Sequence, residues 1–455
     1  MKPSSKARGS GVLLPLPPSP PSMPVVGPLL WLLRARNRLE PAIRELHRRH
    51  GPVLALRFLS PRPSIFVSGR GATHRALVQL GPSFASRPPA IAPFRVLTSE
   101  QSTVSSAPHG PIWRSLRRNL AAGVLSPSRV QFFAPARRRT MALLVSDIGG
   151  RSEEGGGEVD VLGYMCFGQW LHGRRVGEIE AVQRQLFASY ISFQVFAFFP
   201  AVTKLVFRRR WRKVLSIRRR QEELFLPLIR ARRDRDSSMP KPNNNLPKSK
   251  EESERMLTDG EMVSLCTEFF TASVDTTVTA LQWIMANLVI QPDVQAGGPE
   301  EHAVPEGGGA GRAPAHFLLS HAAAEEASLD GYSIPAATPV NFSVPDVSMD
   351  EVVWERPSEF RPERFMDGGE GAGVDLTGSR EMRMMPFGAG RRICPGLGLA
   401  MLHLECFVAT LVSEFEWRAV AGVGVDLAER PEFTVTMDRP LRARVVRRRR
   451  DAVSI

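Results

Sequence analysis

The chain reads as a mainly α-helical protein with a small β region, and three stretches say so. Residues 259–291, DGEMVSLCTEFFTASVDTTVTALQWIMANLVIQ, form one long helical run that Pro292 closes. Residues 397–412 are apolar nearly all round, the pattern of a second helix that should be buried. Strand-like runs are few and short, as in LALRFLSPRPSIFVSG, where Pro61 and Pro63 separate two of them. With 455 residues and 43% hydrophobic content, one large core is within reach.

Taken in order, the chain opens with a basic, Ser-rich tip and then LLPLPPSPPSMPVVGP, ending at Pro28. Proline makes this stretch stiff and extended, and none of its apolar runs reaches the length of a membrane span or a signal core. Residues 36–50 carry a helical pattern. In HGPIWRSLRRNL, residues 109–120, Trp113 and Arg117 fall one turn apart on the same face. GGRSEEGGG at 149–157 reads as a flexible acidic loop. Residues 189–207 are rich in apolar aromatics and run into RRRWRK, which fits a bilayer interface or a pair of core helices. Residues 233–258 read as a solvated loop. Residues 292–313, PDVQAGGPEEHAVPEGGGAGRA, read as a linker.

Lys plus Arg outnumber Asp plus Glu by 60 to 46, a net charge of +14 that suits an anionic membrane surface or an acidic protein partner. No zinc-finger, helix-turn-helix or aromatic RNA-binding signature accompanies it, so no nucleic acid is expected. Cys166, Cys266, Cys394 and Cys406 show no paired spacing, which argues against a disulfide framework or zinc ribbon and for a reducing compartment.

The chemistry concentrates in MMPFGAGRRICPGLGLAMLHLECFVATLVSEFE, residues 384–416. Gly388, Gly390 and Gly396 let the backbone turn sharply and lie against a flat partner. Pro395 and the apolar run after it put Cys394 at a helix N-terminus, where the dipole and free N–H groups favour a thiolate, the form that binds iron. Arg391 and Arg392 beside it suit carboxylates.

Phe387, Gly390, Arg392, Cys394 and Gly396 complete the pattern Phe-x-x-Gly-x-Arg-x-Cys-x-Gly, and PFGAGRRICPG matches the plant microsomal form letter for letter. On these residues the chain resembles the cytochromes P-450, and among plant members the subfamily numbered eighty-nine. The resemblance implies haem b with its axial thiolate from Cys394. It also implies that Trp113, Arg117 and His321 meet haem propionates. Ala272, Ser273, Asp275, Thr276 and Thr277 resemble the oxygen-activating motif of the family's long central helix: Thr276 would bond the dioxygen and Asp275 relay protons, with Ser273 in place of the usual glycine. The runs around residues 54–69 and 331–342 resemble the family's small sheets, with Ala337 where relatives usually carry glycine.

One expected motif is missing. The family pairs an arginine of Pro-Glu-Arg-Phe, here Pro362–Phe365, with a Glu-x-x-Arg on a preceding helix, and nothing between Pro292 and Val340 has that spacing. Glu45 with Arg48, and Glu252 with Arg255, fit by letters in the wrong parts of the chain. Even three average helices would need roughly 35 residues in the interval. Arg364 should therefore lose its buried partners, at about 3 to 5 kcal/mol.

The resemblance implies a hinge at 1–28 and one catalytic domain at 29–455, a cytochrome P-450 fold lacking the helices between the long central helix and the substrate-lining sheet. The implied activity is a haem-thiolate monooxygenase acting on a small apolar organic substrate, with electrons from an NADPH-cytochrome reductase. It implies the cytosolic face of the endoplasmic reticulum membrane; no N-terminal transmembrane helix is read in this sequence, which leaves a peripheral or a cytosolic place as the alternatives. Alternatives are a truncated, impaired relic that binds haem weakly or not at all, and an oxygen-independent haem-thiolate isomerase or dehydratase.

Overall fold

The computed structural model describes residues 14–20, 39–57, 62–154, 158–160, 174–197, 199–238, 256–296, 315–431 and 434–448. Helix α1 (Leu39–His50) precedes β1 (Val53–Leu56) and β2 (Ser64–Val67), the two strands the prolines were expected to separate. Helices α2 (Pro111–Gly123), α3 (Ala134–Glu154), α4 (Arg174–Phe193), α5 (Pro200–Val206) and α6 (Arg208–Ser238) follow. Then come the central helix α7 (Asp259–Ile290) and the short α8 (Pro292–Ala296). After the linker interval, β4 (His321–Ala322) and β7 (Pro339–Phe342) join β1 and β2 in one sheet of order β1-β2-β7-β4. Between them β5 (Ala327–Leu329) and β6 (Tyr332–Ile334) form a hairpin. Helix α9 (Leu397–Glu414) leads into β8 (Phe415–Ala419), which pairs with β11 (Arg442–Arg447), itself paired with β3 (Glu158–Asp160). A last hairpin joins β9 (Glu429–Pro431) to β10 (Val435–Met437).

Helix α7 starts where its sequence says it should. Thr258 accepts the Glu261 N–H, and Glu261 accepts the Thr258 N–H, a reciprocal cap that satisfies two end donors. Its C-terminal half buries Leu281, Trp283, Ile284, Met285, Leu288 and Val289 against Leu404, Val408 and Leu411 of α9. Each such side chain contributes about 1.5–3 kcal/mol relative to exposure. Trp283 also donates its indole N–H to the Val435 carbonyl at 2.8 Å, tying the last hairpin to the same core.

Several expectations need correction. The acidic loop begins later than expected, because α3 continues through Glu154, and likewise α6 runs on to Ser238. The linker does not begin at Pro292: residues 292–296 are helical, and buried Gln295 accepts the Trp417 N–H at 2.7 Å while donating to the Leu288 and Trp417 carbonyls. Residues 297–314 and the Cys166 region lie outside the described residues. Helix α9 is buried on one face only, at Met401, Leu404, Val408, Leu411 and Val412, because α7 and α3 cover only part of its circumference. Alone among the described helices it is long and apolar enough to cross a membrane, yet that stripe makes it a core helix. Residues 189–207 split: Phe193 and Phe196 are fully buried, whereas Phe199, Val202, Leu205 and Val206 point outward.

Candidate active site

The glycine loop before α9 is shaped by contact. Gly388 and Gly390 sit at φ +70° and +66°, and a Cβ on Gly390 would come within 2.0 Å of the Leu77 carbonyl oxygen, so no other residue fits there. The Cys394 N–H donates to the Phe387 carbonyl at 2.9 Å, closing the loop under the half-buried thiol. Phe387 packs with Trp354, Met384 and Leu397. The helix itself starts later than expected, at Leu397 with Gly396 as its N-cap residue. Burial pushes the Cys394 thiol up, outweighing the Gly396 N–H and the Arg117 charge that pull it down. The helix terminus alone therefore does not make the thiolate; a bound cation would.

Three guanidiniums converge beside this loop. Arg392 donates to the carbonyls of Ala85, Val104 and Ala107 at 2.7, 3.1 and 2.6 Å and lies over the Trp113 ring at 4.4 Å. Arg117, one turn along α2 from Trp113, reaches the carbonyl of Ile393, next to the cysteine, at 2.6 Å. Arg87 donates to the carbonyls of Ser105, Leu319 and Ser320. Burial, joined by the charges of Arg87 and Arg117 and opposed by Glu268, lowers Arg392 to about 9. His321, on β4, is buried, and its Nδ1 lies 2.8 Å from the Phe84 carbonyl, which can only accept. Nδ1 therefore carries the proton. Burial, then the charge of Arg87, pushes this imidazole down to about 3, so it is neutral at physiological pH.

The middle of α7 differs from its ends. Phe270, Ala272, Ser273 and Val274 are exposed within a helix whose two flanks are buried. Ser273 donates back to the Phe269 carbonyl at 2.7 Å and Thr276 to the Ala272 carbonyl at 2.7 Å, so both hydroxyls satisfy the helix itself. Asp275 turns away from this face and accepts the Thr434 hydroxyl at 2.6 Å.

These residues fit a haem. The indole Nε1 of Trp113 is buried with no acceptor among the described residues, beside cationic groups whose charges oppose one another. A pair of carboxylates would satisfy both. Arg87 and Glu268 escaped the sequence reading. Glu268 accepts the N–H groups of Val104 and Ser105 at 2.9 and 2.6 Å, holding from α7 the loop whose carbonyls Arg392 holds from the other side. The only sequence signal for either was a charge in an otherwise apolar neighbourhood.

Arg364 is the clearest correction. Its side chain is fully buried, yet not orphaned: Glu370 lies 3.1 Å away, and Nη2 donates to the Arg356 carbonyl at 3.1 Å. Glu45 pairs with Arg48 and Arg49 on the exposed face of α1, far from this role. A separate cavity of about 520 Å³, lined by Met141, Val145, Thr410, Glu414 and Arg447 among others, lies between α3, the end of α9 and the last strand.

The family model for cytochrome P450 matches residues 17–306 and 312–443. Cytochrome P450 89A9 of Arabidopsis thaliana is 38% identical over 96% of this chain and 94% of its own length. That alignment spans 485 positions, whereas 96% of this chain is about 437 residues, so about 48 positions of the relative have no counterpart here. Tryptamine 5-hydroxylase of Oryza sativa subsp. japonica is 30% identical over 90% of this chain and 85% of its own length. A zebra fish cytochrome P450 structure with abiraterone superimposes with a TM-score of 0.69 at 20% identity, covering 90% of this chain and all of that one.

Proposed function

This chain belongs to the cytochrome P450 family, of plant type, whose members hold haem through a cysteine thiolate; from that premise we propose that it is a monooxygenase with Cys394 as the iron ligand. The observation that carries the reading is the half-buried Cys394 in its glycine loop, beside three converging guanidiniums and the unpaired Trp113 indole. Arg87, Arg117, Arg392 and Trp113 would hold the haem propionates, with Arg117 also fixing the Ile393 carbonyl beside the ligand. His321 backs Phe84 and reaches a propionate only by taking a second proton, since Nδ1 is already committed.

Bound haem supplies oxygen activation, placing one oxygen atom in substrate while the other leaves as water. The chain's own part is positional. Phe270 and Val274, one turn apart on the same face, present an exposed apolar surface suited to a small apolar substrate. Thr276, whose hydroxyl donates to the Ala272 carbonyl, would be the hydroxyl offered toward dioxygen, and Asp275, one residue away and bonded by Thr434, would be the acid that supplies a proton. Electrons come from an NADPH-cytochrome reductase drawn to the basic surface. The outward Phe199, Val202, Leu205 and Val206, next to Lys204 and Arg208–Arg210, suit the cytosolic face of the endoplasmic reticulum membrane.

The test is the absorption spectrum of the purified protein, reduced and exposed to carbon monoxide, beside Cys394→Ala. A strongly red-shifted band lost in the variant supports the reading. Absence of haem supports the impaired alternative that the missing Glu-x-x-Arg suggests. Turnover independent of NADPH and oxygen would instead identify an isomerase or dehydratase.

A further inference from the structure

A fully buried guanidinium needs an anion, and the usual source is absent from this chain. The turn after Phe365, Met366–Gly371, supplies one. Gly368 adopts φ +82°, available cheaply only to glycine. A Cβ on Gly369 would lie 2.4 Å from the Arg364 carbonyl oxygen, and one on Gly371 would lie 2.8 Å from the Phe365 ring and 3.0 Å from Trp354. Glycine on each side thus lets the backbone press onto Arg364 and Phe365 and carries Glu370 inward between them. The turn is closed by Gly369 N–H to Met366 O at 2.9 Å and Gly371 N–H to Arg364 O at 2.6 Å.

We propose that Glu370 is the resident counter-ion of Arg364 and the positioning residue through which the buried charge supports the cysteine loop. One carboxylate oxygen lies 3.1 Å from Arg364 Nη1, and the other accepts the Glu355 N–H at 2.9 Å, so the group bridges the two limbs of the segment. From there the contacts lead to the site. Arg364 lies under Trp354, whose indole donates to the Arg383 carbonyl at 3.0 Å. Trp354 packs with Met384, Phe387 and Leu397, the residues that flank Cys394 on both sides. Arg364 Nε and Nη1 and the Glu370 oxygen that faces them make no hydrogen bond among the described residues, so the pair acts through charge at 3.1 Å, and Glu370 is the foremost of the carboxylates acting on this guanidinium, ahead of Glu359 and Glu363.

The test compares the full chain with Glu370→Gln, Glu370→Asp and, as a control acid on the surface, Glu351→Gln. It rests on the haem-thiolate reading only for its spectroscopic arm, which measures haem loss to an acceptor protein and the share of thiolate-type carbon monoxide band. Glu370→Gln should lose haem about tenfold faster and shift the band towards the neutral-ligand form; the effect falls short of a wholly buried pair because the carboxylate side chain is 27% exposed. Glu370→Asp should recover part of both, and Glu351→Gln should match the parent. Glu370→Gln behaving like the parent, or no worse than Glu351→Gln, overturns the proposal. If Glu370→Gln yields no soluble protein, Arg364→Met with Glu370→Gln decides: recovery supports the pair and no recovery overturns it. Should the parent itself hold no haem, the functional reading fails, and the denaturant midpoint still reads the pair, falling in Glu370→Gln if it is real and unchanged if it is not.

Discussion

Thr434 donates its hydroxyl to the Asp275 carboxylate at 2.6 Å, so an acid of the central helix is held from the last hairpin. Thr434→Val removes that donor and weakens the hold on the carboxylate. Turnover should fall about tenfold while peroxide released per NADPH consumed rises, and Thr434→Ser should stay near the parent. Unchanged peroxide release in Thr434→Val would detach Asp275 from proton delivery.

Trp113 carries an indole N–H in the guanidinium cluster that has no acceptor among the described residues. Trp113→Phe keeps the ring under Arg392 and deletes the donor, so haem affinity should drop about tenfold with helical content unchanged. Equal haem retention in a transfer assay would mean that the donor does not meet a propionate.

Ala337 sits at φ +57°, a left-handed conformation that costs a non-glycine residue about 1–2 kcal/mol. Ala337→Gly removes that strain and costs about 0.5–1 kcal/mol in unfolded-chain freedom, for a net gain between about 0 and 1.5 kcal/mol. A denaturant midpoint that rises would agree; one that falls would place the strain elsewhere.

His321 titrates near 3 in the folded chain against an ordinary value of 6.5. Between those values the unfolded chain binds the extra proton, so the stability tied to the neutral imidazole is complete above about 6.5 and lost as pH falls towards 3. In haem-free protein the slope from this group approaches about 1.4 kcal/mol per pH unit. Unfolding of His321→Gln followed across that window should show a flatter acid limb than the parent; parallel curves would refute it.

Leu205 and Val206 are 63% and 67% exposed beside a run of arginines. Leu205→Glu with Val206→Glu should weaken sedimentation with anionic vesicles by more than about tenfold, each lost apolar insertion costing about 1.5–3 kcal/mol. Unaltered co-sedimentation would show that this face does not meet the bilayer.

What the sequence made legible was whatever local chemistry dictates. The Cys394 loop announced itself through closely spaced glycines, two of which take left-handed conformations that cost other residues energy, and α7 through its long helical run and its closing proline. The exposed stretch from Ala272 to Val274 was flagged by a motif and not by burial pattern, because a helix facing a ligand is apolar on every side. Distance in sequence hid the rest. Glu268 meets Val104, and Thr434 meets Asp275, across separations that leave no periodic trace. Glu370 leaves no motif either: the family's Glu-x-x-Arg pattern belongs upstream of Arg364, whereas the anion lies six residues after it.

Gly390 carries a consequence for how this sequence can drift. Every single-base change that alters a glycine codon introduces a side chain or a stop, and at Gly390 any Cβ meets the Leu77 carbonyl oxygen at 2.0 Å. Each such side chain forces the backbone at Leu77 to shift. Lineages descending from this gene can vary the arginines and apolar residues around it, but replacing Gly390 itself requires the Leu77 backbone to move first.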